Sequence, residues 1–120
     1  LQKALIQKDA FKLAKMIQYF EGNVKKNPVI PMVAYLFSFF SKVLAAHGAV
    51  DKSERGLVNA LKINPFAAKD YSYALQRFSL QQVIRNISLL KNADLKLKGV
   101  NAGSEDESQI LKELIFQLII

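Results

Sequence analysis

The chain has 120 residues, of which 51% are hydrophobic and 22% charged, which suffices for one folded domain and excludes the composition of a disordered segment. Because it has no cysteine and one histidine, a disulfide framework, a thiolate zinc site, a cysteine nucleophile and a multi-histidine metal site are excluded. The net charge of +7 favours acidic partners, nucleic acid first among them, although lysines scattered along the chain are also typical of a solvated surface.

Residues 1–22 are predicted to hold one or two helices that precede the core of the bundle and link it to upstream domains. Leu1 to Ile6 is typical of the end of a helix, and Asp9 can cap a second helix that ends at Gly22. The apolar stripe of that second helix consists of Leu13, Met16, Ile17 and Phe20. Since the chain begins with Leu1 and shows no signal peptide, we expect a fragment of a longer, cytoplasmic protein.

The most apolar stretch, Pro28 to His47, predicts the central helix. Its apolar side chains cover more than half of a helical wheel. The main face consists of Val29, Val33, Leu36, Phe37, Phe40, Val43 and Leu44, and Met32, Tyr35, Phe39 and Ala46 widen it. Ser38, Ser41 and Lys42 interrupt the apolar run, which disfavours a membrane span. We therefore expect a bundle helix that neighbouring helices contact on most sides.

Two short helices are predicted next, around a tight turn. Ser53 caps the first, and Asn64-Pro65 separates it from the second, because proline disfavours a helical residue before it and fits the start of a following helix. The second is expected to run from Phe66 to about Arg77.

The last two helices begin at predicted capping boxes. Ser79 with Gln82 and Ser104 with Glu107 each place a hydroxyl and a longer polar side chain where they satisfy free N–H groups reciprocally. Gly99 ends the first of these helices. Since no stretch alternates as a strand does and every link is short, we predict an all-α, antiparallel helical bundle of five to six helices, with residues 23–120 as its main domain.

Few residues offer catalytic chemistry. His47 is expected to complement the negative end of the central helix or to lie on the surface. The carboxylates at 105–107 resemble a metal cluster, but negative charge also stabilises the start of a helix. The stretch from Gly99 to Gly103 lacks the strand and the Lys-Ser/Thr that surround a phosphate loop. We therefore expect no catalytic residue, metal, cofactor or small-molecule substrate.

Asp94 is the carboxylate that the helical wheel places on an apolar face, between Ile87 and Leu90. A buried carboxylate needs a cation or several N–H groups, and Lys98 is one helical turn away. We expect Asp94 to hold two helices together within the domain or to lie at a subunit contact.

The two short helices also resemble a helix-turn-helix DNA-binding motif. In that interpretation Lys69 and Arg77 contact phosphates or bases. The alternative is ordinary helix packing, which the presence of Asp70 on the same helix favours.

One run of the sequence has a fairly specific pattern. Residues 63–99 read INPFAAKDYSYALQRFSLQQVIRNISLLKNADLKLKG, with a Pro-aromatic helix start, an aromatic-Ser cap and an Ala-Asp-Leu…Lys-Gly ending. These features are Pro65-Phe66, Phe78-Ser79, Ala93-Asp94-Leu95 and Lys98-Gly99. The run resembles the C-terminal region of the delta subunit of bacterial DNA polymerase III. Residues 8–44 are similar to the helix-loop-helix that precedes that region in the family, and the acidic-capped last helix fits too.

The resemblance implies a collar domain of the clamp loader, the assembly that places the ring-shaped sliding clamp on primed DNA. In that family the domain is a non-catalytic helical bundle that packs with subunits of the gamma/tau and delta-prime types. The resemblance also implies that DNA and the clamp are partners only in the full complex, with no nucleotide cofactor and no membrane. The parent protein would be a subunit of the DNA polymerase III holoenzyme.

Surplus apolar side chains suggest where partners bind. Tyr35 and Phe39 lie on the flank of the central helix, and Phe116 and Ile120 project away from the main stripe of the last one. Exposed apolar groups commonly mark protein interfaces, so we predict these four residues as interface positions. The alternative is that they pack against other helices of the same domain.

Overall fold

Helices form all the regular structure in the residues that the computed structural model describes, which are 2–22, 29–101 and 104–120. The α-helices are α1 (Gln2–Gln7), α2 (Ala10–Gly22), α3 (Val29–His47), α4 (Glu54–Leu61), α5 (Ala68–Arg77), α6 (Leu80–Leu97) and α7 (Glu105–Leu118). The predicted all-α class is confirmed. Within the described ranges there are seven helices, more than the five to six predicted.

The start of the chain contains two separate helices, α1 and α2, and the second begins at the predicted cap. Lys8 adopts a left-handed backbone with a φ of 53°, which ends α1. Asp9 then begins α2, since its Oδ1 accepts a hydrogen bond of 3.0 Å from the backbone N–H of Lys12. The side chains of Ile17 and Phe20 and the residues Leu1, Pro28 and Gly103 lie outside the described part of the chain.

Serine caps begin three helices at the predicted positions. The Ser53 and Ser104 hydroxyls each accept a hydrogen bond of 3.2 Å from a backbone N–H three residues later. At Ser79 both halves of the capping box are present: its hydroxyl accepts from the N–H of Gln82, and the Gln82 side chain accepts from the N–H of Ser79. These starts depend on neighbouring residues alone, so the local sequence is enough to find them.

The turn before α5 differs from the prediction. A 3-10 turn occupies Pro65–Ala67, and the α-helix begins only at Ala68. The Asn64 side chain accepts a hydrogen bond of 2.9 Å from the N–H of Phe66 and thereby opens that 3-10 turn. A tighter first turn is common at helix starts, and it leaves Phe66 exposed.

The core is organised around α3, which packs against α4, α5, α6 and α7, with its largest contact on α6. The buried residues of α3 are Val29, Val33, Leu36, Phe39, Phe40, Val43 and Ala46. Phe37 and Leu44, predicted on the buried face, lie at its exposed edge. The apolar circumference of α3 is wider than the sector its neighbours cover, so hydrophobicity alone misplaced these two residues.

The first helix contributes to the same core. Ala4, Leu5 and Ile6 of α1 and Leu13 of α2 are buried in the cluster that contains the α3 residues. The domain boundary after residue 22 stays a prediction.

By length and composition α3 could cross a membrane, and it is the one described helix for which this holds. Neighbouring helices nevertheless cover its main apolar face, and its large side chains form part of a continuous core. This packing is that of the central helix of a helical bundle.

Candidate interaction surfaces

An apolar row runs along the uncovered flank of α3. Ile30, Phe37 and Leu44 are 45%, 36% and 37% exposed and follow one another at seven-residue intervals. Seven residues are nearly two helical turns, so the three side chains lie on one side of the helix. Phe37, the middle residue of the row, lines a groove of about 300 Å³ between α3 and α6. That groove is lined by Val33, Ala34, Phe37, Leu90, Lys91 and Asp94.

The neighbouring flank of α6 is apolar as well. Leu80, Ile84 and Leu95 are exposed, and the helical wheel places them on the same side of α6 as Lys91, away from α7. We call the two rows, Ile30, Phe37 and Leu44 with Leu80, Ile84 and Leu95, the α3–α6 face. Several large exposed apolar side chains on one side of a small domain are typical of a protein-binding face.

The predicted ion pair lies at the edge of this face. Lys98 Nζ is 2.9 Å from Asp94 Oδ2, and both side chains are substantially exposed. Asp94 is therefore not the buried carboxylate that the helical wheel indicated, because it lines the open groove between α3 and α6. The pair connects two turns of one helix, and a role in a subunit contact stays a prediction.

The four predicted interface residues do not share one surface role. Tyr35 and Ile120 are exposed, whereas Phe116 packs partly against the core. Phe39 was wrongly assigned to an interface: it is buried, with its ring centroid 5.1 Å from Phe40 and 5.4 Å from Tyr71. It lies on the flank of α3 that faces α5, so its apolar surface packs against α5 of the same chain.

The residues missed by the sequence analysis are those of the α3–α6 face. Ile30 was left unassigned, and Phe37 and Leu44 were placed in the core. The seven-residue spacing of the three could have identified them as a row. The sequence alone does not tell which flank of a broadly apolar helix has no neighbour.

A second surface is a basic groove between α1 and α5, with a volume of about 440 Å³. We call it the α1–α5 groove, and its lining residues are Lys3, Ile6, Gln7, Lys69, Asp70, Tyr73 and Arg77. It brings together Lys69 and Arg77, the two predicted nucleic-acid contacts, and adds Lys3 from a distant part of the sequence. Lys69 Nζ lies 5.8 Å from the centroid of the Tyr73 ring.

The arrangement of α5 bears on the helix-turn-helix interpretation. Lys69 and Arg77 lie on the side of α5 that shares a groove with α1. A recognition helix enters the major groove of a duplex with its reading face clear of its own protein. The geometry therefore gives no specific support to a helix-turn-helix, and duplex binding stays a prediction.

The groups considered for catalysis have structural contacts. The Nε2–H of His47 donates a hydrogen bond of 2.8 Å to the carbonyl oxygen of Phe78, which joins the end of α3 to the start of the α6 cap. In the described ranges, no three His, Asp or Glu side chains come together as metal ligands would.

Hydrogen bonds from the side chain and backbone of Ser53 hold the pKa of Asp51 below its usual value in the turn before α4.

Comparison of the chain with protein-family models, with curated proteins and with solved structures finds no match in any of the three.

Proposed function

We propose that this chain is a non-catalytic interaction module, the collar domain of a clamp-loader delta subunit of DNA polymerase III. The observation that carries the proposal is the α3–α6 face, in which the central core helix leaves a row of large apolar side chains uncovered. The resemblance in residues 63–99 names the class of partner, which is the homologous helical domains of the other loader subunits.

The chemistry of the face suits docking against helices. Burying apolar surface contributes about 25 cal/mol per Å², so several large side chains in one patch favour association. The groove beside Phe37 offers a concave place for a partner side chain. Lys91 and Asp94 at its edge are typical of the polar rim that surrounds the apolar centre of an interface.

The proposed role requires no reaction by this chain. A rigid helical block that fixes its neighbours allows ATP-driven changes in other subunits to act on the sliding clamp. In this proposal the protein works in the cytoplasm during DNA replication, and it meets DNA and the clamp as part of the full complex.

The test is co-elution in size-exclusion chromatography. The chain is mixed with loader ATPase subunits of the gamma/tau type and the delta-prime subunit, and the wild type is expected to elute with them. Ile84→Glu places a charge in the α3–α6 face and is expected to prevent co-elution. Phe66→Glu is the matched control, because Phe66 is 93% exposed and lies outside the face. Thermal unfolding of each variant establishes that it is folded.

Two results would contradict the proposal at different levels. If the wild type does not co-elute, the chain is not a collar domain. If the wild type and Ile84→Glu co-elute equally well, the function stands and the α3–α6 face is not the docking surface.

A further inference from the structure

We infer that the α1–α5 groove is a binding site for single-stranded nucleic acid. This site is separate from the α3–α6 face, and the inference does not depend on the collar proposal.

Helix α5 presents two cations and an aromatic ring in a row along the groove. Lys69, Tyr73 and Arg77 follow one another at four-residue intervals and line the same groove. With a rise of 1.5 Å per residue, the two cations are separated by roughly 12 Å along the helix, with the aromatic ring midway. Proteins that bind single strands combine cations for the phosphates with aromatic rings on which bases stack. This row contains both components.

The Tyr73 ring of that row is available for contact. It is 48% exposed, and its neighbour Lys69 lies 5.8 Å from the ring centroid. A base stacking on the exposed part of the ring brings its phosphate towards Lys69. Because every base has a π-face, we expect little sequence preference.

The side of the groove that α1 forms also carries polar and charged side chains. Lys3 and Gln7 of α1 line the groove across from α5, and Ile6 is buried beneath them. The groove is therefore lined by three cations, Lys3, Lys69 and Arg77, and by one acidic group, Asp70, which is partly buried. The local charge favours phosphate, and we expect the phosphates at Lys3, Lys69 and Arg77.

The shape of the groove favours a single strand over a duplex. A strand can lie between two helices, whereas sequence reading in a duplex requires a protein helix to enter a major groove about 12 Å wide. Helix α1 stands beside α5 on the side that would have to enter. An acidic peptide would satisfy the cations but would gain nothing comparable from the exposed ring.

The experiment is a fluorescence anisotropy titration of the 120-residue chain. Three labelled probes are compared: a twelve-nucleotide oligothymidylate, a twelve-base-pair DNA duplex and a twelve-residue polyglutamate peptide. The oligothymidylate is expected to bind at least tenfold more tightly than the other two. With about three phosphates neutralised, the slope of log K against log salt concentration is expected to be about −2.

The variants separate stacking from charge. Tyr73→Ala is expected to weaken binding of the oligothymidylate about tenfold, while Tyr73→Phe retains most of the affinity. Lys69→Ala and Arg77→Ala are each expected to reduce the magnitude of the salt slope by about 0.7. Lys112→Ala is the matched control, because Lys112 is an exposed lysine of α7 outside the groove. Melting temperatures compare the folding of all variants.

Several results would overturn the inference. They are no binding of the oligothymidylate, equal or tighter binding of the duplex or the peptide, or a loss on Lys112→Ala as large as that on Lys69→Ala. Unchanged affinity of Tyr73→Ala would also overturn it, because binding would then depend on charge without stacking.

Discussion

The contact between α3 and α5 is aromatic, whereas the contact between α6 and α7 adds hydrogen bonds from side chains to the backbone to its apolar packing. In the first, the Phe39 ring lies 5.4 Å from Tyr71 of α5, centroid to centroid. The Phe40 ring lies 5.2 Å from Phe78, the residue that follows α5, in edge-to-face geometry. In the second, the fully buried Asn86 donates a hydrogen bond of 3.0 Å to the carbonyl of Leu118. The aromatic contact supplies buried apolar surface, whereas the polar contact specifies where α7 ends.

Arg85 extends the polar contact. Its Nη2 donates to the carbonyl of Gln117 at 3.2 Å and its Nη1 to that of Ile120 at 3.3 Å. It also donates to the Oδ1 of Asn86 at 3.1 Å, which orients the amide. The last carbonyls of a helix have no partner within it. Asn86 and Arg85 supply donors there, and the carbonyl of Gln117 also accepts from the backbone N–H groups of Ile119 and Ile120. The comparison teaches that both helix pairs contribute apolar packing, and that the hydrogen bonds from α6 additionally specify where α7 ends.

The largest expected effect tests the aromatic side of the comparison. Phe40→Ala removes a fully buried ring with two aromatic neighbours and leaves a cavity, so we expect a loss of about 3–5 kcal/mol in the free energy of unfolding. Urea denaturation measures it. The control is Phe66→Ala, which removes an exposed ring and is expected to change little. A loss below about 1 kcal/mol for Phe40→Ala would mean that the cluster is not a stabilising core.

The polar side of the comparison predicts a smaller loss. Asn86→Ala leaves the carbonyl of Leu118 without its side-chain donor and removes one of the acceptors of the Arg85 guanidinium, which is expected to cost about 1–3 kcal/mol. Denaturation measures the loss, and hydrogen exchange is expected to become faster in the last turn of α7. Asn92→Ala, at an exposed position of the same helix, serves as control. A loss as large as that of Phe40→Ala would show that the polar contact dominates stability.

A pH effect is expected at the edge of the aromatic cluster. Burial, with smaller contributions from Tyr35 and Asp70, raises the pKa of Tyr71 above its ordinary value. The folded state therefore holds the hydroxyl proton more tightly than the unfolded state, so this contribution is complete below the ordinary tyrosine pKa and is lost as pH rises through the folded pKa. Melting temperatures measured from pH 8 to 12 test this.

Tyr71→Phe is the control for that pH effect, because it keeps the ring and removes the titrating group. Its melting temperature is expected to fall less steeply with alkaline pH than that of the wild type. Identical slopes for the two proteins would assign the alkaline loss to other groups, such as lysines.

The smallest effect is expected at the Asp94–Lys98 pair, which belongs to neither contact. Exposed pairs four residues apart contribute only about 0.3–0.5 kcal/mol, so Lys98→Ala is expected to cost no more than that. Adding salt should reduce the difference between the variant and the wild type. Lys96→Ala, on the same helix, gives the baseline for removing one lysine. A loss above about 1 kcal/mol would indicate that the pair also holds a second element.

The sequence alone determined the starts of four helices, α2, α4, α6 and α7, and the all-α class. Asp9, Ser53, Ser79 and Ser104 each act on an N–H within three residues, so their role is readable without knowing the fold. It also identified Lys69 and Arg77 as candidate contacts with nucleic acid.

Only the tertiary structure decided which surfaces are covered. It placed Phe39 in the core and Phe37 at its edge, although the two residues are only two positions apart on one apolar helix. It brought Lys3 and Arg77 into the lining of one groove. It also placed the Asn86 amide within hydrogen-bonding distance of the carbonyl of Leu118, which is 32 residues away in the sequence. The physical reason is that caps and turns are governed by adjacent groups, whereas burial and pairing depend on which helix lies alongside, and hydrophobic attraction carries no direction of its own.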